Sequence, residues 1–217
     1  MSTLVIGNKN YSSWSLRPWI LLKEKGIAFE EQRIPLHTET TRSTVLQLSP
    51  AGKVPIYIDN GLTIWDSLAI CEYINDKYPD KHCWPTDIQD RARARAISNE
   101  MHSGFPTIRT TLFMSCRTRI VYTNISPKLE EELERVRQIW RDCRSRNPNG
   151  PFLFGQFSIA DAMYAPMVCR FLAYGIKVGT TEQAYMNAIL ALPSLKQWMQ
   201  DGAAETEVLS KYEVVQP

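Results

Sequence analysis

The sequence lacks a long apolar run and a marked excess of charge of either sign. Its 217 residues carry a formal net charge of only +2, so the charge balance indicates neither a nucleic-acid partner nor a membrane partner. No stretch is long and apolar enough to span a bilayer. Because a strand is predicted almost at the first residue, we expect no signal peptide and a cytoplasmic protein.

Cysteine pairs and metal-site spacings are also missing. The cysteines are scattered, with no CxxC pair and no Cys/His spacing typical of a metal site. An odd number of dispersed cysteines is typical of a protein with reduced thiols, and we expect most of them to be small side chains in a hydrophobic core. We therefore expect neither a disulfide framework nor a bound metal. The five residues are Cys71, Cys83, Cys116, Cys143 and Cys169.

Alternating strand and helix signals fill the chain up to about residue 78. The first predicted helix has a plausible N-cap at Ser15 and ends at Gly26, and a later helix begins at Asp66 and is stopped by Pro79. Asn60-Gly61 supplies the positive φ angles of a tight hairpin turn. The predicted strands cover residues 3–7, 27–34, 54–58 and 62–65, with a loop and short helix in 37–48. The order β-α-β, β-hairpin, α indicates a mixed four-stranded sheet covered by helices.

The rest of the chain is predicted to be helical. Residues 79–87 carry prolines and little periodicity, which indicates a linker, and residues 88–217 contain no convincing alternating strand. One long helix or two shorter ones are expected up to about residue 119, interrupted near Gly104-Phe105-Pro106. Ser126-Pro127 begins a further helix, and Ser158 with Asp161 has the spacing of a capping box. The helix after Pro127 has an apolar face at Leu129, Leu133, Val136, Trp140 and Cys143.

Three motifs follow one another along the first part of the chain: the Ser12-Ser13-Trp14 turn, Lys53-Val54-Pro55, and Asp66-Ser67. In this order they resemble the glutathione site of the glutathione S-transferase (GST) family. Taken alone, the first and last are ordinary helix caps and the second is an ordinary strand entrance. Their order and spacing carry the resemblance, which covers nearly the whole chain. It is closest to serine-type bacterial members and to the zeta class, which includes maleylacetoacetate isomerases.

The resemblance implies an α/β domain followed by an all-α domain, the GST fold. Residues 1–78 would form a thioredoxin-like, glutathione-binding domain, residues 79–87 a linker, and residues 88–217 an all-helical C-terminal domain. Three departures weaken the zeta assignment more than the glutathione assignment. Trp14 stands where zeta members carry Cys, Asp66 replaces a commoner Glu or Gln, and Ser49 replaces a common Asn.

The resemblance also implies that a serine hydroxyl stabilises the glutathione thiolate. Ser12 lies five residues before Arg17, which is the spacing in the family, so Ser12 is the first candidate and Ser13 the alternative. Tyr11 is expected to shape the pocket, and Arg17 to form a structural ion pair. Serine acts as a hydrogen-bond donor here, because its hydroxyl does not ionise near neutral pH.

The remaining matched residues are expected to hold the tripeptide. In the family the Val-Pro bond is cis, and the Val54 backbone would pair with the cysteinyl backbone of glutathione like an added strand. The γ-glutamyl end would lie at Asp66 and Ser67, and Lys53 would reach a carboxylate. The expected binding residues are Trp14, Lys53, Val54, Pro55, Asp66 and Ser67.

A second substrate is expected beside the first long helix of the C-terminal domain. The candidate lining residues are Met101, His102, Phe105 and Arg109. The alternative is equally open, because apolar residues at helical spacing are usually core and a lone histidine is usually only hydrogen-bonded.

Three functions are compatible with these features, and a fourth, a disulfide reductase, is not. The first is a glutathione transferase acting on small electrophiles, and the second is a glutathione-dependent cis-trans isomerase of the maleylacetoacetate type. The third is a non-catalytic binding or scaffold protein with the same fold. A disulfide reductase would need cysteine where Ser12, Ser13 and Trp14 stand. Family members usually form two-fold dimers, so we expect a homodimer with glutathione as its co-substrate and no nucleic-acid or membrane partner.

Overall fold

The computed structural model describes residues 1–212, which begin with a mixed four-stranded sheet. Its strands are β1 (Thr3–Ile6), β2 (Glu30–Arg33), β3 (Ile56–Asp59) and β4 (Leu62–Trp65). They lie in the order β2-β1-β3-β4, with β1 parallel to β2 and antiparallel to β3, and β3 antiparallel to β4. Asn60 and Gly61, with φ angles of 49° and 83°, form the predicted hairpin turn.

Three helices cover the two faces of this sheet: α1 (Ser13–Glu24), α2 (Thr41–Leu48) and α3 (Ser67–Lys77). Successive side chains of β1 point to opposite faces. Leu4 and Ile6 belong to the main core with residues of α1 and α3, whereas Val5 belongs to a smaller core. The other buried members of that smaller core are Ile34, Val45 and Ile56. The predicted α/β arrangement is confirmed.

The boundaries of three elements differ from the prediction. Ser12 rather than Ser15 is the N-cap of α1, because the Ser12 hydroxyl accepts the Ser15 backbone N–H at 3.4 Å. β2 starts only at Glu30, since the Ile27 N–H still bonds back to the end of α1. β3 starts at Ile56, after Pro55, which has no N–H to donate to a neighbouring strand.

Six helices follow the sheet unit within residues 1–212. They are α4 (Ile88–Ser103), α5 (Pro106–Thr111), α6 (Pro127–Arg146), α7 (Ile159–Ala173), α8 (Thr180–Ala191) and α9 (Pro193–Ala204). Short 3₁₀ turns cover Pro79–Lys81 and Ser210–Tyr212. Beyond Lys77, the only β pairing in the described residues consists of two isolated bridges in 152–156. The helical second unit is therefore confirmed.

The long helical region predicted up to residue 119 is partly wrong. The break at Gly104-Phe105-Pro106 is present, with Phe105 at a left-handed φ of 61°. α5 then ends at Thr111, and residues 112–126 contain no helix. Long-range hydrogen bonds hold this segment instead. At its start, Arg170 donates to the Leu112 carbonyl and Tyr174 to the Phe113 carbonyl, both at 2.8 Å.

Helix α7 is the centre of the second unit, with nearly every residue buried against its neighbours. Its predicted capping box is present, because the Asp161 carboxylate accepts the Ser158 N–H at 2.9 Å and the Ser158 hydroxyl at 3.0 Å. The same carboxylate accepts the Leu153 N–H at 3.0 Å. The cap therefore also fixes the loop that precedes α7.

The segment that follows α9, residues 205–212, returns to the first unit. The Glu205 carboxylate accepts the backbone N–H groups of Lys9 and Asn10 at 2.7 and 3.1 Å. Arg117 donates to the Glu205 carbonyl. This C-terminal segment brings Tyr212 against the start of α1, at 5.9 Å between the ring centroids of Tyr212 and Tyr11.

Three of the sequence-based expectations concern membrane-spanning helices, metal sites and disulfide bonds. No helix in the described part of the chain is long and apolar enough to cross a membrane. Residues 1–212 contain no cluster of three or more His, Cys, Asp or Glu side chains that could hold a metal ion. All five cysteines are free thiols, and each is buried.

Candidate functional site

A cleft of about 1030 Å³ opens between the sheet unit and the helical unit. The sheet unit supplies the start of α1, the turn before β3 and the junction of β4 with α3. The helical unit supplies α4, α5, the segment after it, and α7. The residues that line the cleft include Tyr11, Ser12, Ser13, Trp14, His37, Lys53, Val54, Pro55, Asp66, Ser67, His102, Arg109, Phe113, Arg170 and Tyr212.

The two candidate serines have different hydrogen-bond partners. The Ser12 hydroxyl donates to Ser15 Oγ at 2.7 Å and also caps α1. The Ser13 hydroxyl accepts a hydrogen bond from Arg170 Nη2 at 3.3 Å, and it donates to no acceptor within residues 1–212. Both serines are buried at the cleft wall. Of the two serines, Ser13 is thus the one whose hydroxyl hydrogen has no acceptor within residues 1–212 and can be donated to a bound ligand.

Three arginines converge on this wall, and none of them has a carboxylate partner within residues 1–212. Arg17 lies over the Trp14 ring with its guanidinium carbon 4.2 Å from the ring centroid, and Arg109 lies over the same ring at 5.1 Å. Burial, together with repulsion from Arg109 and Arg170, lowers the pKa of Arg17 to about 9. Burial and repulsion from Arg109 lower the pKa of Arg170 to about 10. All three stay protonated at neutral pH, so the cleft wall is strongly positive.

Arg17 does not form the expected ion pair with any carboxylate in residues 1–212. Its Nη1 instead donates to the Ser67 hydroxyl at 3.1 Å, and its Nε is buried without a partner in that part of the chain. The Ser67 side chain is fully buried at the start of α3. Arg17 therefore connects the start of α3 with Trp14 in α1.

The other candidate binding residues of the sheet unit lie along one side of the cleft. Lys53 is exposed, and the Val54-Pro55 bond is cis, as expected. Asp66 has a positive φ of 74°, and its carboxylate accepts the N–H groups of Leu68 and Ala69 at the start of α3.

His102 forms a contact between the two units. Its Nε2 lies 3.1 Å from Asp66 Oδ2, and its ring meets the Trp14 ring edge-on at 5.1 Å between centroids. Burial lowers the pKa of His102 despite the opposing attraction of Asp66. The neutral imidazole therefore donates from Nε2 to the carboxylate. Its Nδ1 is buried and has no partner among the described residues.

Two of the four predicted second-substrate residues do not line the cleft. His102 and Arg109 are in its wall, but Met101 and Phe105 are buried in the hydrophobic core. Met101 acts through its backbone, because its carbonyl accepts a hydrogen bond from Arg109. The prediction is therefore wrong for Met101 and Phe105, since the face of α4 that carries Met101 turns inward.

Sequence reasoning missed several lining residues. Tyr212 packs edge-on against Phe113 at 4.9 Å between centroids, and its hydroxyl bonds to the His37 ring at 2.9 Å. This aromatic group closes one end of the cleft, and no local motif marks it. Arg170 had a usable signal, because apart from the Asp161 cap it is the one charged residue of the apolar helix α7.

Models of a known protein family match the sequence of both units. Residues 11–77 match the model of the "Glutathione S-transferase, N-terminal domain", and residues 126–201 match that of the "Glutathione S-transferase, C-terminal domain". Together the two models cover well over half of the chain.

Relatives of known name share part or most of the chain. A probable maleylacetoacetate isomerase from Caenorhabditis elegans is 40% identical over 93 residues, which is 43% of this chain and 44% of that protein. The match thus spans less than half of that relative. A stringent starvation protein A homolog from Haemophilus influenzae is 24% identical over 189 residues, 85% of this chain and 84% of that protein.

Solved structures with the same fold cover almost the entire chain. A glutathione transferase homolog from Burkholderia, crystallised with bound glutathione, superposes with a TM-score of 0.69 at 25% identity, covering 93% of this chain and 97% of that one. The mango (Mangifera indica) Tau class enzyme gives a TM-score of 0.71 at 19% identity, with 93% and 95% covered. The chain belongs to the glutathione S-transferase family.

Proposed function

We propose that the cleft binds glutathione and stabilises its thiolate by a serine hydroxyl for attack on small electrophiles. One observation carries the proposal: the α1 serines, the Val54-Pro55 turn and the Asp66-Ser67 helix start line a single cleft. Each supplies a group that glutathione needs, namely a donor for sulfur, a backbone edge for the cysteinyl unit, and polar partners for the γ-glutamyl end.

The hydroxyl and the helix start are sufficient to ionise a thiol near neutral pH. A free thiol has a pKa of about 8.5, and each pKa unit corresponds to about 1.4 kcal/mol. A hydrogen bond to a charged group contributes about 1.5–3 kcal/mol, and a helix N-terminus adds about 0.3–1 kcal/mol. Together they lower the thiol pKa by about one to three units.

Ser13 is the better candidate for the sulfur contact. The Ser12 hydroxyl already donates to Ser15, whereas the Ser13 hydroxyl has a free hydrogen and is the side chain of the first residue of α1. This reverses the ranking that the spacing to Arg17 gave. In this proposal Ser12 holds the helix start in shape and Ser13 donates to the thiolate.

The tripeptide extends from this point along the sheet unit. Its γ-glutamyl carboxylate lies at the Ser67 hydroxyl and the N-terminus of α3, where the positive end of the helix dipole favours an anion. Its ammonium pairs with the Asp66 carboxylate. Lys53 is exposed at the far side and reaches the glycyl carboxylate, and Val54 pairs through its backbone.

Calorimetric titration of the Ser67→Ala variant with glutathione tests the binding site. Losing one hydrogen bond to a charged group costs about 1.5–3 kcal/mol, so the dissociation constant should rise by roughly tenfold or more. Ser145→Ala is the matched control, because Ser145 is an exposed serine in α6, and no residue of α6 lines the cleft. Equal affinities of wild type and Ser67→Ala, with both proteins folded by circular dichroism, would place glutathione elsewhere.

A glutathione-dependent isomerase is the second candidate. There the thiolate adds to a double bond, the bond rotates, and the thiolate leaves. The 40% identity to a probable maleylacetoacetate isomerase over 93 residues favours it. The two reactions differ in whether glutathione is consumed, so following free thiol and product together separates them. A purely binding role would leave the bound thiol with the pKa of free glutathione.

We also propose that the chain forms a homodimer. The edge strand β4 exposes two large apolar side chains, Leu62 at 51% and Trp65 at 45%. Exposed apolar groups on an open sheet edge commonly mark a contact with another chain.

A further inference from the structure

We propose that Arg170, in the central helix of the second unit, is a positioning residue of the thiolate site that acts through Ser13. The inference rests on the proposed function, which assigns no role to Arg170. Arg170 holds the oxygen of the Ser13 hydroxyl so that the hydrogen points into the cleft. It also places a full positive charge beside the expected position of sulfur.

The guanidinium of Arg170 is held in one orientation. Its Nε donates to the Leu112 carbonyl at 2.8 Å, Nη1 to the Pro166 carbonyl at 3.4 Å, and Nη2 to Ser13 Oγ at 3.3 Å. The residue is only 4% exposed. A planar guanidinium held by two backbone carbonyls has little freedom to turn away from its third partner.

The bond to Ser13 determines where the hydroxyl hydrogen goes. Arginine has only donors, so Ser13 Oγ must accept in this bond. The hydrogen of the hydroxyl then points to the remaining tetrahedral positions, away from the guanidinium. Since both side chains lie in the cleft wall and the Ser13 hydroxyl has no other partner in residues 1–212, the cleft is where that hydrogen finds an acceptor.

The charge of Arg170 is not neutralised by the described part of the protein. Its polar contacts there are two carbonyls and a hydroxyl, and its charged neighbour in the cleft wall, Arg109, is also cationic. An unpaired buried charge is unfavourable. A thiolate bound at Ser13 supplies the missing negative charge, so the site favours the ionised form of glutathione.

A purely structural role for Arg170 leads to a different expectation. If Arg170 only connects α7 to the segment after α5, its loss lowers stability but leaves the pKa of any bound thiol unchanged. A positioning role changes the thiol pKa even when stability and glutathione affinity are retained. The ionisation of bound glutathione therefore separates the two roles.

The test measures the ultraviolet absorbance of the thiolate in the glutathione complex as a function of pH. Arg170→Gln removes the charge and keeps an amide donor, and its thiol pKa should rise by about one unit. The kcat/KM for a neutral aryl halide should then fall about tenfold near neutral pH and recover at alkaline pH. Arg170→Lys keeps the charge, so its thiol pKa should lie between those of wild type and Arg170→Gln. Arg119→Gln is the control, because Arg119 is exposed and outside the cleft.

A double-mutant cycle with Ser13→Ala shows whether Arg170 acts through Ser13. The combined variant should raise the thiol pKa by clearly less than the sum of the two single changes. An unchanged thiol pKa in folded Arg170→Gln overturns the inference, as does a fully additive cycle. If Arg170→Gln fails to fold, an unchanged pKa in Arg170→Lys overturns it, since one ammonium cannot reproduce the bonds to both Leu112 and Ser13. A wild-type complex whose thiol pKa equals that of free glutathione would instead refute the proposed function itself.

Discussion

Two adjacent serines at the start of α1 are distinguished by what their hydroxyl groups already do. Ser12 gives its hydrogen to Ser15 and accepts the N–H that begins the helix, so it is a cap. Ser13 accepts from Arg170, a residue 157 positions further along the chain. Sequence spacing cannot separate the two, because the deciding partner of Ser13 comes from another unit.

Single alanine variants of these serines should therefore have different effects. Ser13→Ala should raise the pKa of bound glutathione by about one to two units and lower turnover near neutral pH by roughly ten- to a hundredfold. Ser12→Ala should leave the thiol pKa nearly unchanged but destabilise the protein by about 1 kcal/mol, the usual cost of an N-cap. Thiolate absorbance and urea unfolding measure the two effects separately. A larger pKa rise in Ser12→Ala would return the sulfur contact to Ser12.

At the scale of secondary structure, the sequence predicted the elements whose signals are local. The Asn60-Gly61 turn and the Ser158–Asp161 box depend on residues within a few positions, and both are present. The end of α5 was not predictable in this way. Its following carbonyls bond to Arg170 and Tyr174, so tertiary contacts replace the helix that local periodicity favoured. The inward turn of Met101 is likewise decided by packing in the core.

The capping box of α7 leads to a prediction about protein stability, because Asp161 does not line the cleft. Asp161→Ala leaves three buried donors without an acceptor: the N–H groups of Leu153 and Ser158 and the Ser158 hydroxyl. Each unsatisfied donor costs about 1–3 kcal/mol, and the loop can relax in part, so we expect the free energy of unfolding to fall by about 3–5 kcal/mol.

Urea unfolding measures this loss. Asp142→Ala is the matched control, because Asp142 is an exposed carboxylate on α6 and its replacement should change stability by less than about 0.5 kcal/mol. In the Asp161 variant, the fraction that still binds glutathione should keep a normal thiol pKa, because Asp161 does not reach the cleft. Equal stabilities of the two variants would mean that the box is not needed to hold α7.

At the scale of the whole molecule, the two units are packed against each other around the cleft. Trp19 of α1 packs on Trp198 of α9 at 5.1 Å between centroids, and Lys25 donates to the Phe157 carbonyl at 2.8 Å. The domain limits at residues 78 and 88 remain a prediction, because the main core runs through both units. The sequence indicated two folding units but not the bonds that join them, since Arg170–Ser13 and His102–Asp66 each pair distant segments.

The proposed homodimer leads to a prediction for the open edge of the sheet. A glutamate at position 62 would bring a charge into an apolar contact, which costs several kcal/mol when the charge has no partner. We expect Leu62→Glu to weaken dimerisation by at least about thirtyfold, because each tenfold change requires only about 1.4 kcal/mol. Val121→Glu is the control, since Val121 is also an exposed apolar residue, at 69%, but lies far from β4 in the chain.

Sedimentation velocity at micromolar concentration measures both variants against wild type. Wild type and Val121→Glu should sediment as dimers, and Leu62→Glu as a single chain with unchanged circular dichroism. Trp65 lies on the same strand and also lines the cleft, so a partner chain at this edge would sit beside Asp66. Dissociation of the dimer should therefore weaken glutathione binding more than it changes the thiol pKa, because the thiol pKa depends on the residues at the start of α1. A wild-type protein that sediments as one chain would refute the dimer, and a dimeric Leu62→Glu would move the contact away from β4.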